Sequence, residues 1–223
     1  SGNWRLNGEP IIFNGDGTLL DGQQRLMACI RAKTPFTTVV IRGVDTDAFS
    51  SLNVGSKRTL ADVFSIQREE NYATLAGAVN WIWKYEHSSC NTGNNVPVSE
   101  GRRLLEEHPG LRMVANTVAK LDLLITPGMA TFVRYMALRD SPELANLFFD
   151  RLVDGLGLKK SDPVYLLRER LIQNRASKAK LPQFEILALV IKAWNATKSG
   201  ETLRFLRFRT KGDTPEEFPA FAA

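Results

Sequence analysis

The apolar period of the chain changes once, near residue 68, and that change dictates two kinds of structure in one chain. Before it, "EPIIFN" (9–14), "TLL" (18–20) and "PFTTVVIRGV" (35–44) are short β-prone runs, the pattern of strands whose successive side chains leave opposite faces of a sheet. After it, Tyr72, Leu75, Val79 and Ile82 share one helical face. Leu111, Val114, Val118 and Leu121 repeat that spacing, as do Phe184, Leu187, Ile191 and Trp194, which is what helices around a common core require. With 223 residues there is enough chain for two cores. The expected architecture is α+β: a small α/β domain over residues 1–66, then an all-helical domain over 67–223 with a basic C-terminal segment.

Within the first region the order reads strand, strand, helix, strand. "GDG" (15–17) offers glycines for a tight hairpin. From Gly22 to Lys33 a helix follows with Leu26, Cys29 and Ile30 at i, i+3, i+4, and a third strand runs from about Thr37 to Arg42. Asp45 suits the cap of a short helix in "DTDAFSSL", and Thr59 the cap of the next. Trp81, Trp83 and Trp194 sit at helical spacing and read as core, Cys29 as packing, and "SSCNTGNNVPVS" (88–99) as a flexible loop.

Composition narrows the chemistry. Two cysteines, Cys29 and Cys90, give neither a disulfide framework nor a metal-ligand pair, and His87 and His108 stand alone, so a zinc centre or a histidine-based triad has little to build on. With 43% apolar residues and no long apolar run, the chain reads as a soluble, cytoplasmic protein without a membrane partner. The first residues carry neither an initiator methionine nor a signal peptide and read as a tag remnant or an internal start. A net charge of +5 permits a nucleic-acid partner. Lys159, Lys160, Arg168, Arg170, Arg204, Arg207, Arg209 and Lys211 concentrate the positive charge in the last third.

The stretch "DGQQRLMA" (21–28) opens the first helix. Asp21 as N-cap with Gln24 three residues on makes a capping box. That reading leaves Gly22 unexplained, since glycine weakens a first helical turn, and Arg25, since a cation near the positive helix end is unfavourable. A phosphate on the helix N-terminus, with Arg25 as bidentate donor, explains both.

The runs "GNWRLNGEPIIF", "DGQQRLMA", "NVGSKRTLADV" and the tail from "IKAWNAT" to "EEFP" resemble the ParB/sulfiredoxin-like superfamily, and within it ParB-like proteins of phages and plasmids with a D-G-Q-[HQ]-R motif. The resemblance covers nearly the whole chain. It implies a nucleoside triphosphate, with Mg2+, held by Asp21, Gly22, Gln23, Gln24 and Arg25, in a protein that acts on or with DNA and is compatible with a homodimer. Gln24 stands where many relatives have histidine, so that histidine's general-base role is unavailable; Gln23 stands in place of sulfiredoxin's reactive cysteine, which excludes sulfiredoxin chemistry.

Gly55, Lys57 and Arg58, ahead of Thr59, are equally an exposed basic turn or further phosphate donors. Asn53 replaces an expected acid and weakens any metal proposal there. Were the protein a ParB-like nuclease or NTPase, Asp21 and Glu9 are the acids that would carry catalysis; were it an adaptor, the motif would merely cap a helix. For DNA two elements qualify. "VSEGRRLLEEHPGLRMVANTVAKL" (98–121) places Arg112, Asn116 and Lys120 at i, i+4, i+8 on the second of two short helices, a plain helical hairpin or a recognition helix. "LRFLRFRTK" (203–211) interleaves Arg204, Arg207 and Arg209 with Phe205 and Phe208, which suits phosphate contact and base stacking when the rings are exposed and a basic rim when they are buried.

Overall fold

The computed structural model describes residues 4–45, 59–210 and 215–222. The fold is α+β, and the chain divides into two compact units, Ser1–Lys57 and Arg58–Ala223. Among the described residues the first holds a three-stranded mixed sheet and one helix, the second eight helices.

In the first unit β1 (Ile11–Asn14) pairs antiparallel with β2 (Leu19–Asp21), Ile12 opposite Asp21. The Asn14 side chain shapes the turn: its Oδ1 accepts the Asp16 and Thr18 N–H groups at 3.0 and 2.7 Å, a local bond that asparagine makes readily. Helix α1 (Gln23–Ala32) then carries the chain to β3 (Val40–Val44), which pairs parallel with β1, giving the order β2-β1-β3. β3 starts later than the run Thr37–Arg42 suggests because the parallel register sets Ile11 against Val40 and Ile12 against Ile41. Trp4 donates from Nε1 to the Thr37 carbonyl at 2.8 Å and meets Phe36 edge-on.

This unit encloses little. Ile11 and Ile12 are its buried apolar side chains among the described residues. The expected inner face of α1 is not enclosed: Ile30 is 68% exposed, and Cys29, rather than packing, is half-buried and donates its thiol to the Thr34 carbonyl. Val39, Val40 and Ile41 are exposed as well. A short β1 supplies too few apolar side chains to cover a ten-residue helix.

In the second unit α2 (Leu60–Ile66) starts with a reciprocal box, in which Thr59 Oγ1 accepts from the Asp62 N–H and the Asp62 carboxylate from the Thr59 N–H. Its Leu60 and Phe64 enter the helical core, so the division between units falls before α2 rather than after residue 66. There follow α3 (Tyr72–Glu86), α4 (Val98–Glu107), α5 (Leu111–Val118), α6 (Pro127–Asp140), α7 (Pro142–Asp154), α8 (Pro163–Ala176) and α9 (Gln183–Lys198). Proline opens α6, α7 and α8, where its missing N–H costs nothing. The three apolar stripes are core as their spacing predicts, apart from Tyr72, which is exposed, and Leu121 and Phe184, which are half-buried. Trp194 is fully buried, with Phe132, Phe148 and Phe149. α3 and α6 meet backbone to backbone: a Cβ on Gly128 would lie 2.8 Å from the Gly77 Cα.

Residues 88–97 form a loop, as expected, and 98–99 begin α4; the loop is pinned at three points. Cys90 and Val96 are buried, the Val96 N–H donates to Asn80 Oδ1 at 2.9 Å, and Lys84 donates to the Thr92 carbonyl. The described residues after α9 have no regular structure, yet Leu206 is buried and Phe218 and Phe221 pack against the core. No helix among the described residues is long and apolar enough to cross a membrane. The expectations placed on residues 46–58, including the helix after Asp45 and the cluster with Asn53, Gly55, Lys57 and Arg58, lie outside the described residues.

Candidate phosphate site

Gly22 is the hinge between β2 and α1. Its φ is 99°, a conformation other residues adopt only with strain, and a Cβ there would lie 2.2 Å from Ile11 Cδ1. The sheet's own packing therefore requires glycine at this point. The helix begins one residue later than a capping box would have it. Gly22 occupies the N-cap with no side-chain cap bond, and Asp21 Oδ1 accepts the Gly22 N–H at 2.8 Å, ahead of the first helical turn. The box between Asp21 and Gln24 does not form, because the left-handed Gly22 turns the strand before the Asp21 side chain can reach the second or third helical N–H.

Arg25 lies within this turn, and its side chain is only 18% exposed. Nη1 donates to the Glu9 carbonyl at 2.6 Å and Nη2 to the Pro10 carbonyl at 2.9 Å, while Nη2 also meets Asp21 Oδ2 at 3.4 Å. The guanidinium thus joins the chain ahead of β1, the end of β2 and the first turn of α1. Nε and the second Nη1 hydrogen keep donor capacity. Gln23 and Gln24 are exposed, and among the described residues no side chain accepts from the first-turn N–H groups of α1.

The acids fit metal chemistry less well. Asp21 is engaged by Gly22 and Arg25, and the Glu9 backbone carbonyl, not its carboxylate, faces Arg25 and the Thr38 hydroxyl. Among the described residues no group of three or more His, Cys, Asp or Glu is placed to hold a metal.

The two short helices α4 and α5 form on either side of Pro109 and Gly110 as expected, but each packs on α3 or its other neighbours rather than on the other as a hairpin. Arg112 is held there by Glu69, with Nε to Oε2 at 2.8 Å and Nη2 to Oε1 at 2.6 Å, and this hydrogen bond keeps the Glu69 carboxyl below its ordinary range. Asn116 donates to Glu70 and accepts from Asn71, both at 2.7 Å. Of the stripe, only Lys120 faces outward without such a bond. At the C-terminal segment Arg204 and Arg207 are exposed. Phe205 is 58% exposed with the Arg207 guanidinium 4.5 Å above its ring, whereas Phe208 packs on Phe218 and Arg209 pairs with Glu216 at 3.2 Å.

Sequence reasoning missed the acceptors that hold Arg25, because backbone carbonyls leave no mark in residue type. It also missed Glu69 and Glu70, which an acidic pair 43 residues or more from the basic stripe could have suggested. Comparison with protein-family models, with curated proteins and with solved structures finds no match to this chain.

Proposed function

We propose that the first unit is a ParB-like nucleotide-binding domain of phage or plasmid type, with the phosphates of a nucleoside triphosphate on the N-terminus of α1, and that the protein acts on or with DNA. The observation that carries this reading is the uncapped start of α1, set directly after a strand by a left-handed glycine, within the D-G-Q-[HQ]-R pattern. The first-turn N–H groups, without a partner among the described residues, and the helix dipole attract an anion there. Gln23 and Gln24 add neutral donors, and Arg25 fixes the turn while offering its remaining N–H groups. Magnesium would ride on the phosphate oxygens, since no carboxylate cluster is assembled beside the loop among the described residues. For DNA the reading favours Arg204 and Arg207 around exposed Phe205, a pairing suited to a phosphate and an unstacked base, over the stripe that Glu69 and Glu70 already engage.

Calorimetric titration of ATP, CTP and GTP with magnesium, into the chain and its Gln24→Glu variant, tests the first half. A carboxylate at the helix start stabilises α1 by ~0.3–1 kcal/mol but repels phosphate. The expected outcome is saturable binding of one nucleotide, weakened about tenfold in a variant of equal or higher thermal stability. Absence of binding, or equal affinity in the variant, removes the reading. For the second half, Arg204→Ala and Arg207→Ala should each lower the slope of log affinity against log salt by about 0.7 for a single-stranded oligonucleotide; an unchanged slope excludes that segment.

A further inference from the structure

A cavity of about 620 Å³ lies wholly within the second unit, between the C-terminal end of α3, the turn at 88–91, the start of α9 and the chain after it. Its volume is that of a small-molecule site. Phe184, Phe208 and Phe218 line it, and Phe208 and Phe218 meet edge-to-face at 6.0 Å, so two of the wall's rings are packed on each other. At the mouth Ser88 and Asn91 are exposed, and their side chains make no hydrogen bond to described residues.

Among the described residues the carboxylates on the wall are Glu86 and Glu216. Glu86 faces the cavity and has His108 Nε2 at 3.8 Å. Glu216 is held by Lys192 and Arg209, and the thiol of Cys90, pushed up to about 11 by burial, adds no charge at neutral pH. Among the described residues no lysine or arginine lines the cavity, and Lys192 and Arg209 reach its wall at Glu216, which they neutralise.

We infer that this cavity binds a small planar aromatic molecule bearing an amine or amidine, its ring against the phenylalanines and its N–H groups on Glu86 and the Ser88 and Asn91 side chains. A carboxylate available beside aromatic faces favours a cation, and the two cations that reach the wall, Lys192 and Arg209, are already engaged by Glu216. This separates the cavity from a phosphate site in both location and ligand charge.

The probes are benzamidine and benzoate, which share a ring and differ in the sign of their charge, titrated into the full chain by ligand-observed NMR. The expected result is saturable benzamidine binding, about tenfold or more tighter than benzoate, weakened several-fold by Glu86→Gln and abolished by Asn91→Trp, which fills the mouth from an exposed turn. Both variants should keep the parent's thermal unfolding, since neither side chain is buried. Benzamidine that does not saturate, benzoate that binds as well, or binding untouched by both substitutions would each overturn the inference.

Discussion

Arg25 shows how one side chain serves both the fold and a site. Its guanidinium satisfies two backbone carbonyls ahead of β1 and meets Asp21, so Arg25→Ala leaves three acceptors short of a donor. Hydrogen bonds to a charged group are worth ~1.5–3 kcal/mol each. We expect the variant to lose about 2–3 kcal/mol from the first unit, read as a lower denaturant midpoint for its amide signals by NMR. Nucleotide affinity measured on that variant would therefore confuse folding with binding, which is why Gln24 is the better probe. Glu69 gives the matching prediction for acid. Its carboxyl titrates below the ordinary value of 4.5 because of the Arg112 hydrogen bond. The folded state thus holds the proton less tightly than the unfolded chain, and the pair's contribution is complete above about pH 4.5 and lost as pH falls through the lowered value. In urea titrations the Glu69→Gln variant should be less stable than the parent near neutrality, with the gap closing in acid; a gap independent of pH would show that the ion pair contributes nothing through its charge.

At the scale of elements, the helices of the second unit were legible because their apolar stripes are long and each is matched by facing stripes. α1 was legible as a helix but not in its surroundings: Leu26, Cys29 and Ile30 have the right spacing, and a three-stranded sheet with two buried isoleucines cannot enclose them. The capping box was misread at Asp21 and correctly anticipated in part at Thr59. The difference is Gly22, whose left-handed backbone moves the first helical residue to Gln23; residue types alone do not reveal a backbone angle. The α3–α6 crossing was invisible for a similar reason, because Gly77 and Gly128 matter by having no side chain. Gly128→Ala would press a methyl onto the Gly77 backbone, which does not yield as a flexible side chain would. Overpacking of this kind costs ~1–3 kcal/mol, and urea denaturation followed by far-ultraviolet circular dichroism should show a lower midpoint with an unchanged slope.

Over the whole chain the two units differ most in what they bury. The second has a continuous core with five large aromatics essentially excluded from solvent, Phe64, Phe132, Phe148, Phe149 and Trp194. The first, among described residues, buries Ile11 and Ile12. Local opening follows buried contacts, so hydrogen–deuterium exchange should be faster in β1 and β3 than in α3, α6 and α9 by about tenfold or more; equal protection would mean that the first unit gains its stability from groups other than these side chains. The indoles divide along the same line. Trp4, 44% exposed, is the one tryptophan of the first unit, and Trp81, Trp83 and Trp194 belong to the second. A water-soluble quencher will dim Trp4 while the light of Trp194 stays blue and undiminished, so the emission spectrum separates by colour what a single melting curve would blend.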